Sequence, residues 1–228
     1  MTDIVPKKRV ACFIDGFNLY HAVDELTDRR TRKRMNHLKW LDLKRLAGCF
    51  IQPSIEEVTA VYYYSALATW LPDAQSRHEV YLKALESTGV TIRLGKFKKK
   101  DRRCNSCGVT WVGHEEKESD VNLALELLNE SWRDSFDKAI IMTADTDLVP
   151  VIKMVRAQFA HKEIVAAIPE GRYGNALDLR HNSSLSQRIK QHHIEACLFG
   201  ASFTAVDGSV HPRPHKYHPP RVAPGGRK

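Results

Sequence analysis

Residues 139–150 read Ala139-Ile140-Ile141-Met142-Thr143-Ala144-Asp145-Thr146-Asp147-Leu148-Val149-Pro150. A short apolar run ends in two carboxylates one residue apart, and a second apolar run, Leu148 to Val155, follows at once. The first run is β-rich and bounded by polar residues, as a buried parallel strand is. The second has helical spacing, and Pro150 is tolerated only in the first turn of a helix. Asp145 and Asp147 thus fall where a strand's carboxyl end meets a helix's amino end, the rim at which open α/β sheets bind ligands. Asp and Thr are also good helix caps, worth about 1 kcal/mol each. A cap needs one such residue and this turn carries three, so capping and a functional site stand side by side here.

The same grammar repeats on either side. Arg9 to Ile14 reads as a central strand ending in Asp15-Gly16-Phe17-Asn18, with Gly16 allowing a sharp turn and a helix beginning at Asn18. Trp40 to Ala47 has helical spacing that Gly48 can close. Val58 to Ala66 is β-branched and aromatic, a second strand whose tyrosine triplet belongs mainly to the core. An amphipathic helix over 74–87, a strand over 90–94, a further strand over 163–168 and a short helix over 176–180 complete the series. Residues 169–175 form a loop on the same rim as the central turn. Alternating strands and helices imply a parallel, doubly wound α/β sheet. Val121, Ala124, Leu125 and Leu128 form an i, i+3, i+4, i+7 stripe, and Asp120 lies in the first turn of that helix at the stripe's edge. Charge compensation of the helix dipole is the competing explanation for Asp120.

With 228 residues, 43% hydrophobic and 27% charged, the chain can bury a core as one domain over 1–200. It carries an insertion at 96–114 and a basic Pro/His-rich tail at 201–228 whose composition predicts disorder. No run spans a bilayer and the first residues lack a signal peptide's apolar core, so the expected compartment is the cytoplasm, with no membrane partner. An odd cysteine count of five agrees. The net charge of +8 and pI near 9.3 favour a polyanionic partner, nucleic acid above all. Homo-oligomerisation is left open. Asp28 to Arg34 is a basic loop, a solvated run or a phosphate contact. In 96–103, Lys96, Lys98, Lys99, Lys100, Arg102 and Arg103 surround Phe97, as cations on phosphates and a ring on a base would. Cys104-Asn105-Ser106-Cys107 resembles half of a structural zinc knuckle, with His114 as a third ligand; a reduced, exposed loop is the stronger reading.

In such a sheet the first and fourth strands are neighbours, so Asp15 and Asp145 end side by side, with Asp147 above and Asp120 approaching from a helix's amino end. Like charges this close need a cation, and Mg²⁺ or Mn²⁺ suits carboxylates far better than zinc does. A cation so held activates a water and neutralises a phosphodiester's developing charge.

Phe13 to Asn18, Glu116 to Val121 and Thr143 to Pro150 together resemble the three motifs of NYN-domain proteins of the LabA-like branch. That family is PIN-like, a Rossmann-like three-layer α/β/α sandwich with a mainly parallel sheet, and the resemblance covers about Arg9 to Leu185. It implies that Asp15, Asp120, Asp145 and Asp147 surround the metal. It implies that Asn18 orients Asp15, a metal-bound water or a phosphate oxygen, and that Thr143 contacts phosphate. Ala144 and Leu148 replace the family's usual Gly and aromatic and leave every acid intact. The expected function is a metal-dependent ribonuclease acting on single-stranded or structured RNA. A PIN-like module that binds RNA or protein without cleavage is the alternative. A haloacid-dehalogenase-like phosphatase is disfavoured, because its second Asp falls at Phe17.

Overall fold

The computed structural model describes residues 6–28 and 30–220. The first five residues, Arg29 of the basic loop and the tail's last eight residues lie outside the described residues. The chain begins with β1 (Lys8–Asp15), α1 (Gly16–Asp24), α2 (Leu43–Gly48), β2 (Glu56–Ser65), α3 (Pro72–Ser87) and β3 (Thr91–Leu94). A hairpin of β4 (Lys96–Arg103) and β5 (Thr110–Lys117) leads into α4 (Ser119–Trp132) and β6 (Lys138–Met142). Then come α5 (Val149–Gln158), β7 (Glu163–Pro169), α6 (Leu177–Asn182), β8 (Leu185–Ile189), α7 (Gln191–Ala196), β9 (Ser202–Thr204) and β10 (Val210–Pro212).

Six strands form one parallel sheet in the order β3-β2-β1-β6-β7-β8. Counted along the sheet's own strands this is the 3-2-1-4-5-6 order of doubly wound folds, with its switch point between β1 and β6. Side chains of β1 alternate between the two faces. Val10, Cys12 and Ile14 join one core, and Ala11 and Phe13 join the other. All are buried, as befits a central strand covered on both sides. The architecture is thus the α/β/α sandwich expected from the alternation of elements.

Several local readings need correction. Gly16 is required for space rather than for a turn: a Cβ there would stand 2.4 Å from the Tyr63 ring and 2.5 Å from the Tyr64 carbonyl oxygen. The helix expected at Trp40 starts at Leu43, because the Asp42 carboxylate accepts the Arg45 N–H at 3.0 Å and caps it. In α4 the buried apolar positions are Leu123 and Leu127, whereas Val121 and Leu125 are 60% and 62% exposed. That helix is apolar on most sides, so its rotation is chosen by Glu126, which binds Arg93 at 2.7 Å and the Tyr64 hydroxyl at 2.9 Å.

The basic run at 96–103 is a strand. The tail expected to be disordered is folded over 202–217: β9 and β10 pair, and Phe203 and Tyr217 pack on buried Trp40 at 5.9 and 6.2 Å between ring centroids. Aromatic anchors offset the ordering entropy that the tail's composition alone could not. Tyr217→Ala should destabilise the protein by about 3 kcal/mol, read as a lower melting temperature; an unchanged melt would mean that this segment is undocked.

Candidate metal centre

Asp15 is the last residue of β1 and the N-cap of α1. Its side chain is 4% exposed, and both oxygens are used within the protein. Oδ1 accepts the Asn18 backbone N–H at 2.9 Å, and Oδ2 accepts the Thr143 hydroxyl at 2.8 Å. The same Thr143 Oγ1 accepts the Asp145 N–H at 3.0 Å. Asn18 Oδ1 accepts the Ala144 N–H at 3.1 Å, and Asp145 Oδ1 accepts the Asp147 N–H at 2.9 Å. These bonds tie the ends of the two neighbouring strands into one network. Capping and site-building are therefore the same act: Asp15 caps α1, and Asp145 caps the 3₁₀ turn Thr146–Leu148 before α5.

Two expected roles change. Thr143 is 1% exposed with its hydroxyl donating and accepting internally, so it organises the acids rather than touching phosphate. Asn18 orients Asp15 through its backbone, while its side-chain oxygen holds the Ala144 loop.

Asp120 enters from the first turn of α4, beside the Thr146–Leu148 turn. It follows Glu118, whose left-handed φ of 79° swings the chain out of the hairpin and into the helix. The acids couple electrically. Burial, offset by its two hydrogen bonds and then reinforced by Asp120 and Asp145, pushes the Asp15 carboxyl up to about 6. Burial, then Asp145 and Asp147, raises Asp120. A fifth acid joins them: Glu116 on β5 is pushed up to about 7 by burial, with Asp15 and Asp120 adding to the shift and the Ser119 hydroxyl opposing it. Glu116 lies four residues before Asp120 in the Glu116 to Val121 motif, within a run of charged residues that gives it no local mark.

All four aspartates thus lie on one rim, around the switch point of the sheet. Among the described residues, however, no three carboxylate, His or Cys groups converge as direct ligands of one ion. The zinc triad is not assembled either. Cys104 and Cys107 sit in the hairpin's tip, whereas His114 lies four residues along β5 from Thr110, roughly 13 Å at strand rise, with its ring stacked on Trp70 at 3.5 Å.

The hairpin sorts its cations by face, since residues directly opposite in an antiparallel pair share one. Phe97 pairs with Glu116 and Lys99 with His114, and alternation puts Arg103 on this same face; Phe97 and His114 pack against Trp70, whereas Lys99 and Arg103 are exposed. Lys98, Lys100 and Arg102 take the other face. Lys100 is bound to Glu115 at 3.0 Å, and Lys96 pairs with Glu118.

Because Glu116 holds its proton more tightly than a free carboxyl does, the folded state binds more protons than the unfolded state between about pH 4.5 and 7. Stability therefore falls as pH rises through that window. Glu116→Gln should raise stability at pH 7.5 by roughly 1–2 kcal/mol, after allowance for solvent screening, and by almost nothing at pH 4. Thermal melts in chelator at both values would check this; equal increments would refute the coupling.

The NYN domain family model matches residues 9–184, most of the chain. A curated relative, 6-hydroxy-3-succinoylpyridine 3-monooxygenase HspA of Pseudomonas putida (strain DSM 28022 / S16), is 28% identical over 185 residues. That match covers 65% of this chain and 56% of the relative, so the chain spans only about half the relative's length. The crystal structure of a protein of unknown function from Vibrio parahaemolyticus RIMD 2210633 superposes with a TM-score of 0.53 at 18% identity, covering 87% of this chain and 99% of that one, a likeness of fold. With its central sheet, its carboxylate rim and a family match along most of its length, this chain belongs to the NYN-domain family of the PIN-like superfamily.

Proposed function

We propose that the protein is a Mg²⁺- or Mn²⁺-dependent ribonuclease that hydrolyses phosphodiester bonds at this rim. The observation that carries the reading is the set of five carboxylates gathered at the switch point, where burial first, and then acidic neighbours, raises the proton affinity of Asp15, Asp120 and Glu116. No basic side chain figures among the groups that shift these three. The donor set fits a hard divalent cation, since Mg²⁺ keeps several waters and takes only one or two carboxylates directly. Bound there, the cation would supply Lewis-acid neutralisation of the phosphodiester's charge and a water acidified for attack.

The chain's own residues set the geometry. Asp15 is held rigid by Asn18 and Thr143, so it offers a fixed negative charge. Asp120 and Asp147 are exposed and Asp145, which caps the turn carrying Asp147, is half-buried, so these three are the accessible donors. The Asn18 amide nitrogen, whose oxygen partner already holds the Ala144 N–H, would donate to a phosphate oxygen. Lys99 and Arg103, on the body-facing side of the hairpin, would hold the strand's backbone. No helix among the described residues is long and apolar enough to cross a membrane. The free cysteines, Cys12 buried among them, support a reducing compartment such as the cytoplasm. The oxygenase activity in the name of the Pseudomonas relative is not carried over, since the match covers only part of that protein.

Labelled single-stranded RNA incubated with Mn²⁺ should be cleaved by the wild type. Asp145→Asn and Asp147→Asn should each lower the rate by roughly 10²–10³. Equal product from all three proteins would remove this site from catalysis. RNA binding without any product would assign the chain to the non-cleaving module instead. In a second experiment, Lys99→Glu with Arg103→Glu should weaken RNA binding and flatten the plot of log affinity against log salt by roughly 0.7 per lost phosphate contact. Lys98→Glu with Lys100→Glu should do less, because Lys100 already has Glu115. The reverse ranking would mean that RNA uses the outer face.

A further inference from the structure

Beside the acid rim, on the far side of Asp15 from Asp145, α1, α3, the hairpin and the C-terminal segment enclose a cavity of about 370 Å³. Its size lies within the range of small-molecule sites. The cavity has two chemically distinct ends. One is aromatic: Trp70 stacks on His114 at 3.5 Å and 5°, Phe97 stands edge-on to Trp70 at 4.8 Å, and Phe17 meets Phe97 at 6.2 Å. Phe17 is 40% exposed at the residue that follows Gly16 out of β1. Within this aromatic wall the buried Nε2 of His114 has no hydrogen-bond partner among the described residues.

The other end is cationic. Lys39, Arg77 and Lys216 line it, close enough that burial and then repulsion from Arg77 and Lys39 lower the proton affinity of Lys216. Lys39 is neutralised by Asp24, which also takes Arg34. Among the described residues no carboxylate pairs with Arg77 or Lys216. An apolar cavity with unpaired cations at one end, stacked rings at the other and an unused hydrogen-bonding nitrogen suits a planar heterocycle that carries an anion.

We propose that this cavity binds one nucleotide, its base against the Trp70–His114 wall and its phosphate at Arg77 and Lys216. Gly16 and Phe17 line the cavity and directly follow Asp15, so a strand ending in the cavity passes across the acids. This placement of the strand rests on the ribonuclease reading; the binding of a nucleotide does not. Charge and shape also distinguish the site from the hairpin's outer face, which offers cations without an enclosure.

Calorimetric titration of AMP and UMP in chelator, with no divalent ion, tests the site apart from hydrolysis. Both wild type and Asp145→Asn should bind, with the tryptophan emission quenched, and the matching nucleosides should bind about tenfold more weakly. Arg77→Gln with Lys216→Gln should cost a similar factor for the nucleotides and none for the nucleosides, in protein whose melting temperature shows it is folded. A 5′-phosphorylated oligoribonucleotide that displaces UMP where its 5′-hydroxyl counterpart does not would identify a strand end as the source. Failure to displace would identify the free nucleotide. No saturable binding in the millimolar range, equal binding of nucleosides and nucleotides, or indifference to the double variant would each overturn the proposal. Because chelator suppresses cleavage, a negative result here leaves the hydrolase reading standing, and an inactive hydrolase leaves this site standing.

Discussion

The hydrogen bond from the Thr143 hydroxyl to buried Asp15 is the constraint on which the rest depends. Asp15 sits at the end of a strand covered on both faces, where an unpaired carboxylate would be costly. Two internal donors make its burial tolerable, and each also sets another part of the site. The Asn18 N–H belongs to the first turn of α1. The Thr143 hydroxyl belongs to the end of β6 and, through its second bond, positions the backbone of Asp145. The strand neighbours β1 and β6 are thereby joined at their carboxyl ends by side chains, beyond their backbone ladder. Removing the hydroxyl would leave a nearly inaccessible oxygen without a partner and release the turn that carries the other two acids.

Rigidity at one acid is matched by accessibility at the others. Asp15 is enclosed, Asp145 is half-buried, and Asp120 and Asp147 are exposed. The hairpin contributes on both sides of the same rim. Its Glu116 adds to the negative centre, and Lys99 and Arg103 stand on the same face of the hairpin as Glu116. An acidic centre inside a basic border is the field that a polyanionic strand and its counter-cation both require.

The alternation of a strand explains why one segment can serve three purposes. Successive residues of β4 and β5 point to opposite faces. Phe97, His114 and Glu116 thus meet the body while the residues between them meet water or pair across the hairpin. The hairpin is in effect a wall shared by the acid rim and the aromatic cavity. Order in the C-terminal segment has a related cause. Tyr217 is buried against Trp40 and also lines the cavity, so the segment that closes one core builds the cavity's cationic end.

The sequence by itself determined the sheet and its rim. Short apolar runs ending in Asp15 and Asp145, separated by helical periodicity, admit few topologies, and the doubly wound rule then makes those two acids neighbours. Asp120 was legible because an acid in the first turn of an apolar helix has few places to go. What only the tertiary structure decided depends on contacts between distant segments. The rotation of α4 was ambiguous because apolar residues occupy most of its circumference, and the pairing of Glu126 with Arg93 and Tyr64 settled it. Glu116 looked like any charged residue in a polar run until strand alternation turned it inward. The folding of the tail could not be read from its Pro, His and Arg content, since the partner that orders it, Trp40, lies more than 160 positions earlier than Phe203 and Tyr217. Local pattern records the period of an element, whereas the choice of face and of partner is made by packing, which spacing along the chain does not encode.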